Sequence, residues 1–193
     1  MKRYFMIFLL VLSLGACQSV PQLANDYDRA RDFSLYQSFA FNTPALIYQP
    51  DESYIRSDLT ESRIVASINN ELTRKGLKVE SAQKADLKVQ AYLILDTRKT
   101  NVAEGHYMGW DPYWHDFWTG PDYVRTYSMY YQVATIQIDL IDRQTDKLVW
   151  RGSAKEIVDD SRSLSPSQKD QLIQKIVGQI INLYPPKIDR VKL

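Results

Sequence analysis

The fold class follows from residues 131–158, which read YQVATIQIDLIDRQTDKLVWRGSAKEIV. Apolar residues occupy every second position in both halves of this stretch, and alternation of that kind is typical of strands with one buried face. The polar residues 143–146 between the halves predict a turn, so we expect an antiparallel hairpin. Its register should bring both apolar sets to one face: Ala134, Ile136, Ile138 and Leu140 with Leu148, Trp150, Gly152 and Ala154.

Three further strands are predicted upstream of this hairpin, and the shortest of them covers residues 77–79. Residues 85–95 alternate between apolar and polar side chains, and residues 36–41 form a shorter run in which Phe39 and Phe41 share a face. Residues 42–57 contain Pro44 and Pro50 and are typical of a loop.

Two amphipathic helices complete the pattern. In the first, over residues 58–75, Asp58 is the candidate N-cap and Gly76 follows where a helix commonly ends in a left-handed residue. The second begins at the capping box Ser165–Gln168 and ends before Tyr184-Pro185-Pro186. The elements together predict an α+β fold: one antiparallel-rich mixed sheet of about five strands, two helices packed on one face, and a long aromatic loop between two strands.

The amino-terminal residues have a different character from the rest of the chain. Lys2 and Arg3 precede the apolar run Tyr4–Leu14, which has about half of the ~20 residues that a transmembrane helix needs. This arrangement is typical of an export signal. Without residues 1–16, the 24 basic residues fall to 22 against 23 acidic ones. With nearly equal numbers of basic and acidic residues, the chain lacks the excess of basic residues that is typical of nucleic-acid-binding proteins.

The segment Leu14-Gly15-Ala16-Cys17 resembles the lipobox of bacterial lipoproteins. The resemblance implies cleavage before Cys17, acylation of that residue by fatty acids such as palmitate, and attachment to a membrane. In the sorting rule of Gram-negative lipoproteins, an aspartate directly after the cysteine retains the protein at the inner membrane. Here Gln18 follows Cys17, so the rule implies the periplasmic face of the outer membrane. An export signal without lipidation and an uncleaved anchor are the alternatives. We therefore expect a signal peptide (1–16), a tether (17–24), one domain (25–186) and a carboxy-terminal tail (187–193).

The order of motifs along the chain resembles the DUF4136 family of bacterial lipoproteins. The matching segments are 26–28, 32–41, 63–64, 71–76, 85–89, 140–142, 147–154 and 184–186. The resemblance supports the fold and the location, and it carries no catalytic residues and no defined function. One departure is Asp146, since the family often has glycine before the second hairpin strand.

The connection of about thirty residues between the two longest strands is unusually aromatic. It holds three of the four tryptophans and both histidines. Trp and Tyr combine an apolar body with a polar tip, so an exposed segment of this kind suits a glycan, an envelope protein or a membrane interface. The alternative is that the segment folds back and covers the second face of the sheet. The candidate binding residues are Tyr107, Trp110, Tyr113, Trp114, Phe117 and Trp118.

Motifs that would indicate catalysis are missing from the sequence. There is no Gly-x-Ser-x-Gly elbow and no phosphate-binding glycine loop. His106, Asp111, His115 and Asp116 have no compact metal-binding spacing, so we predict neither a metal site nor a cofactor. We expect a non-enzymatic, lipid-anchored envelope lipoprotein that binds a partner or ligand through the aromatic loop. The alternatives are a carrier of an apolar ligand in a cleft between sheet and helices, and a hydrolase that uses the histidine-containing loop.

Overall fold

One mixed sheet with two helices on one face forms the domain. The computed structural model describes residues 21–53, 55–106, 123–158 and 164–186, without the side chains of residues 105, 106, 123 and 124. The helices are α1 (Asp58–Arg74) and α2 (Pro166–Ile181), and a short 3-10 turn spans Phe33–Leu35. The strands are β1 (Gln22–Tyr27), β2 (Ser38–Gln49), β3 (Lys78–Val79), β4 (Leu87–His106), β5 (Tyr123–Asp142) and β6 (Lys147–Val158).

The spatial order of the strands is β1-β6-β5-β4-β2-β3. Strand β2 runs parallel to β3 and β4, and the other neighbours are antiparallel. The predicted α+β class is confirmed, with six strands in the described ranges instead of about five. The strand that we did not predict is β1, which pairs with β6 from Gln22↔Lys155 to Tyr27↔Trp150. Most of its residues are exposed, so apolar periodicity had no signal there. It begins inside segment 17–24, which we expected to be a tether.

The predicted hairpin forms with one irregularity. Ile136, Ile138 and Leu140 lie opposite Ala154, Gly152 and Trp150, as the alternation required. Between Leu140 and Ile141 the register shifts by a bulge, which turns Val149 into the core and leaves Leu148 43% exposed. The expectation that Leu148 is buried was therefore wrong, because a bulge reverses the alternation locally.

The turn of this hairpin explains the departure from the family pattern at Asp146. Its φ of 55° lies in the left-handed region, which glycine adopts without strain and Asp tolerates better than most residues. The carboxylate of Asp142 accepts hydrogen bonds from the backbone N–H groups of Gln144 and Thr145, each at 2.9 Å. The turn is thus held by its own side chains.

Strand β2 is longer than predicted, because residues 42–49 continue it where we expected a loop. Its pairing with β4 skips from Phe41 to Leu46, and the extra residues bulge out. Gln90 of β4 fills the gap: its Nε2 donates to the carbonyl oxygens of Pro44 and Ala45 at 3.1 and 3.2 Å. Gln90 is only 5% exposed, so a buried amide satisfies the backbone groups that the bulge leaves without strand partners.

Both helices have the caps that a stable helix needs. The N-cap of α1 is Ser57, whose hydroxyl accepts from the Thr60 N–H at 3.3 Å, and not Asp58 as we predicted. The predicted glycine terminus is confirmed, since Gly76 has a φ of 96°. The capping box of α2 is also confirmed: Ser165 Oγ accepts from the Gln168 N–H, and Gln168 Oε1 accepts from the Ser165 N–H.

A single apolar core lies between the sheet and the helices. Trp150 is fully buried at its centre, and its ring meets that of Tyr184 edge to face with 5.6 Å between centroids. An ion pair between Arg63 and Asp170 links the two helices. Neither helix in the described ranges has the length and apolar character needed to cross a bilayer. The core includes Phe39, Ile64, Ile68, Leu72, Val89, Ile138, Leu140, Val177, Ile180 and Ile181.

Candidate functional site

Strands β4 and β5 extend well beyond the rest of the sheet. They pair along all 20 residues of each strand, from Leu87↔Asp142 to His106↔Tyr123. Strand β2 accompanies β4 only as far as Ile94, and β6 accompanies β5 only from Gln132 onward. Residues 98–106 and 123–131 therefore form a two-stranded ribbon, which we call the arm. Nine residue pairs at about 3.4 Å per residue make the arm about 30 Å long.

The arm shortens the connection that the sequence predicted. We expected the two strands to end near residue 95 and to resume near residue 131, whereas they continue to residues 106 and 123. The prediction failed because a ribbon open on both sides needs no strict apolar alternation, and residues 96–101 are almost entirely polar. The aromatic segment, residues 107–122, consequently joins the two strands at the far end of the arm.

The two sides of the arm differ in chemistry. Paired residues of antiparallel strands lie on the same side, and successive residues alternate. The side continuous with the helix-covered face of the sheet carries Tyr130, which is 67% exposed, among mostly polar side chains. On this side Ser128 Oγ lies 3.1 Å from Asn101 Oδ1. The opposite side, which we call the outer face, continues the uncovered face of the sheet. It presents Tyr127 and Met129, which are 46% and 48% exposed.

The predicted site residues lie outside the described residues. This holds for Cys17 and for all six aromatic candidates, Tyr107, Trp110, Tyr113, Trp114, Phe117 and Trp118. Of the histidine and aspartate set considered for a metal, His106 ends β4 opposite Tyr123, and the other three also fall outside. Within the described ranges, no cluster of three or more His, Cys, Asp or Glu side chains is arranged to hold a metal ion.

An apolar groove opens between α2 and the helix-facing side of the sheet. Its volume is about 540 Å³, within the roughly 300–1,000 Å³ of small-ligand pockets. A cleft between sheet and helices, which the carrier alternative requires, is therefore present. Its sheet wall includes Ala134, Ile136 and Ala154, which the hairpin alternation had assigned to the buried face, and its helix wall includes Leu172, Ile173 and Ile176. The apolar lining also includes Ile64 and Leu93.

A charged pair stands on the uncovered face of the sheet. Arg151 donates from Nε and Nη2 to the two carboxylate oxygens of Asp139 at 2.7 and 2.6 Å. The two residues face each other in the register of β5 and β6. The hydrogen bonds from the guanidinium to Asp139 raise the pKa of Arg151. Because each partner satisfies the other, this pair stabilises the sheet and offers no reactive group.

A second polar cluster joins the amino-terminal segment to the hairpin turn. Tyr36 donates its hydroxyl to Asp142 at 2.9 Å, and Arg31 Nη1 lies 3.5 Å from the same carboxylate. Burial, together with this hydrogen bond, raises the pKa of Tyr36 to about 12. Burial also acts to raise the pKa of Asp142, but hydrogen bonds from Thr145 and Tyr36 outweigh it and hold that pKa below its ordinary value. Because Tyr36 stays protonated beside the ionised carboxylate of Asp142, the contact between them is structural.

Comparison with known proteins confirms the family resemblance. The sequence matches the family model of DUF4136, a domain of unknown function, over residues 23–186. No curated protein matches the chain.

Two solved structures share the fold. A DUF4136 family protein from Bacteroides thetaiotaomicron has a TM-score of 0.51 at 15% identity, over 84% of this chain and 96% of that one. A PDZ domain protein from Parabacteroides distasonis has a TM-score of 0.53 at 21% identity. The match covers 86% of this chain but 35% of the PDZ domain protein, so this chain spans about a third of that protein's length. Identities this low show a common fold alone.

Proposed function

This chain belongs to the DUF4136 family, and on that basis we propose that it is a lipid-anchored protein of the bacterial cell envelope that binds a partner through its aromatic segment and catalyses no reaction. The acyl chains are attached at Cys17, and Gln18 directs the protein to the periplasmic face of the outer membrane. Two or more acyl chains anchor a domain of this size stably, since each buried methylene contributes about 0.8 kcal/mol. The partner is an envelope protein or a glycan.

The observation that supports partner binding is the arm. An isolated two-stranded ribbon is marginally stable in water, and its unpaired edges invite association. A ribbon about 30 Å long therefore adds little to the stability of the domain. The arm places His106 and Tyr123, the residues that flank segment 107–122, about 30 Å beyond the end of the pairing with β2 and β6. This segment contains Trp110, Trp114 and Trp118. Tryptophan and tyrosine are the residues that most often dominate binding energy at protein interfaces.

The register of the arm permits a clean test. Because His106 and Tyr123 face each other, a two-residue Asn-Gly turn can replace residues 107–122 and close the hairpin in the same register. We expect this short-turn variant to fold and melt like the wild type while losing the partner that cross-linking in cells attaches to the intact chain. Ser128→Ala, an exposed change on the polar side of the arm, is the matched control and should keep that partner.

Two outcomes would contradict the proposal. If the short-turn variant still captured the same partner at the same yield, the aromatic segment would not be the binding element. If mass spectrometry of protein from the native membrane found Cys17 without acyl groups, the anchoring would be wrong. The hydrolase alternative predicts that His106→Ala combined with His115→Ala removes the cellular phenotype, whereas we expect that pair of changes to leave it intact.

The groove supports a second candidate function, that of a carrier for an apolar ligand such as a lipid. Ala134 lines the groove, so Ala134→Leu should fill part of the groove volume. We expect organic extracts of the purified variant to contain severalfold less co-purifying lipid than extracts of the wild type. Ala103→Leu, an exposed change on the arm, is the control. Equal lipid content in all three proteins would exclude the carrier.

A further inference from the structure

Exposed apolar side chains form a stripe on the outer face, near the base of the arm. Ile157 of β6 and Tyr131 of β5 lie on this face, and Val133, which pairs with Ile157, is itself buried at 8% exposure. Ile157 is 65% exposed, and the stripe continues along the arm through Met129 and Tyr127. An exposed apolar stripe of this kind usually marks a contact surface.

The amino-terminal end of the described chain lies beside this stripe. Pro21 and Gln22 line a hollow of about 350 Å³ together with Tyr131, Val133 and Ile157. Gln22 pairs with Lys155 at the edge of the sheet, and strand β1 runs from there away from the arm. The chain therefore enters the fold at the base of the arm, on the side that carries the stripe.

The distance from this entry point to the anchor is short. Three residues lie between Cys17 and Pro21, and a fully extended chain covers at most about 14 Å in the four steps from one to the other. This reach is about half the length of the arm. A membrane that holds Cys17 must therefore come close to the hollow, whatever path the intervening residues take.

We propose that the outer face at the base of the arm lies on the lipid surface in which Cys17 is anchored. This inference rests on the lipid anchoring proposed above and adds the face of the domain that meets the membrane. Tyr127 and Tyr131 have the amphipathic rings that favour the headgroup region, and Met129 adapts its shape to acyl chains. Lys155 borders the same hollow, and its long side chain can reach lipid phosphates. The arm then extends along the membrane surface.

Labelling of two adjacent residues tests the orientation directly. Cys17 is the only cysteine, so once it is acylated an introduced cysteine is the sole free thiol. The acylated full chain, carrying Met129→Cys or Ser128→Cys, is labelled with an environment-sensitive fluorophore and reconstituted into vesicles of phosphatidylethanolamine and phosphatidylglycerol. Residue 129 lies on the outer face, and residue 128 is the matched control on the opposite side. Ile157→Cys provides a second outer-face position if the first variant folds poorly.

We expect the labels at positions 129 and 157 to shift to shorter emission wavelength in vesicles and to be quenched severalfold by headgroup-proximal spin-labelled lipids. The label at position 128 should remain water-like. With Cys17 acylated, an unshifted label at positions 129 and 157 would overturn the orientation while leaving the anchor intact. A shift that grows with protein density and resists lipid quenching would indicate a second copy of the chain on this face, and would also overturn it. Absence of acyl groups on Cys17 in the same sample would overturn both proposals.

Discussion

Gly152→Ala is the substitution whose effect the structure defines most closely. Gly152 lies on β6 beneath the indole of Trp150 and beside Ile180 of α2, both of which are fully buried. A methyl group added there would stand 2.8 Å from Trp150 Cζ2 and 2.7 Å from Ile180 Cγ2. Carbon atoms in contact are ordinarily about 3.5–4.0 Å apart, so the new group overlaps each neighbour by roughly 1 Å.

The expected cost follows from two opposing effects. Overpacking a close-packed core destabilises a protein by about 1–3 kcal/mol. Replacing a strand glycine by alanine lowers the entropy of the unfolded chain and returns roughly 0.5–1 kcal/mol. Subtracting the gain from the cost leaves a net loss of roughly 0–2.5 kcal/mol. Because the methyl group meets Trp150 and Ile180 at once, we expect about 1–2 kcal/mol, and for a domain of this size that lowers the melting temperature by roughly 2–8 °C.

Thermal and urea unfolding monitored by circular dichroism measures this loss. Ser153→Ala is the control, because the neighbouring side chain is on the opposite face of β6, and it should change the free energy of unfolding by less than about 0.5 kcal/mol. Ile180→Leu removes the clashing γ2 methyl at nearly constant volume, so the double variant should recover part of the lost stability. The reasoning would be refuted if Gly152→Ala melted with the control, or if the double variant showed only the sum of the single effects.

Three further predictions concern polar positions. Asp139→Asn should lower the free energy of unfolding, measured in urea, by about 2 kcal/mol. This loss is smaller than that for breaking a fully buried ion pair, because Arg151 is 44% exposed. The lowered pKa of Asp142 predicts a contribution to stability that is present above the ordinary value of 3.8 and is lost as pH falls through the lower, folded value. The urea concentration at the midpoint of unfolding should therefore fall less steeply on acidification for Asp142→Asn than for the wild type. This substitution removes the carboxylate that accepts a hydrogen bond from Tyr36. Asp146→Val should lower the melting temperature through a left-handed backbone cost of about 1–2 kcal/mol, whereas Asp146→Gly should not.

Each of these has a contrary result that the same measurement would reveal. An Asp139→Asn protein as stable as the wild type would mean that the ion pair contributes nothing to the fold. Identical dependence of the urea midpoint on pH in the wild type and Asp142→Asn would mean that another group causes the acid sensitivity. Asp86 is an example, since its pKa is also lowered. Hydrogen bonds from Gln37 and Ser38 outweigh the opposing effect of burial there. Equal melting of the valine and glycine variants at position 146 would contradict the assigned backbone conformation.

The helices show where sequence reasoning succeeded and where it narrowly failed. The capping box at Ser165 was predicted correctly because its hydrogen bonds join residues three apart, so the whole motif is visible in the sequence. The cap of α1 was misplaced by one residue, since Ser57 and Asp58 are both good N-cap residues and only the backbone geometry chooses between them. Gly76 was predicted correctly because few other residues adopt its φ without strain.

The strands show the opposite limit. Val149 replaced Leu148 in the core because of a bulge, and bulges depend on the partner strand instead of on local pattern. Residues 42–57 were predicted to be a loop because of Pro44 and Pro50, yet residues 42–49 belong to β2. Gln90, which is more than forty residues away, supplies hydrogen bonds that keep them in the sheet. The candidate aromatic residues were recognisable from composition, but nothing in the sequence indicated that paired strands continue as far as residues 106 and 123.

Local information in the chain was thus sufficient for the α+β class, for the ends of both helices to within two residues, and for most of the buried faces of the central strands, because short-range periodicity and capping produce them. The pairing of β1 with β6, the two bulges and the length of the arm came only from the folded structure. They depend on which distant segments meet, and backbone hydrogen bonds between strands form with little regard to the side chains that the sequence records. For that reason a composition rich in tyrosine and tryptophan indicated residues 107–122 as a candidate binding segment, while the tertiary structure alone revealed the arm whose strands end on either side of it.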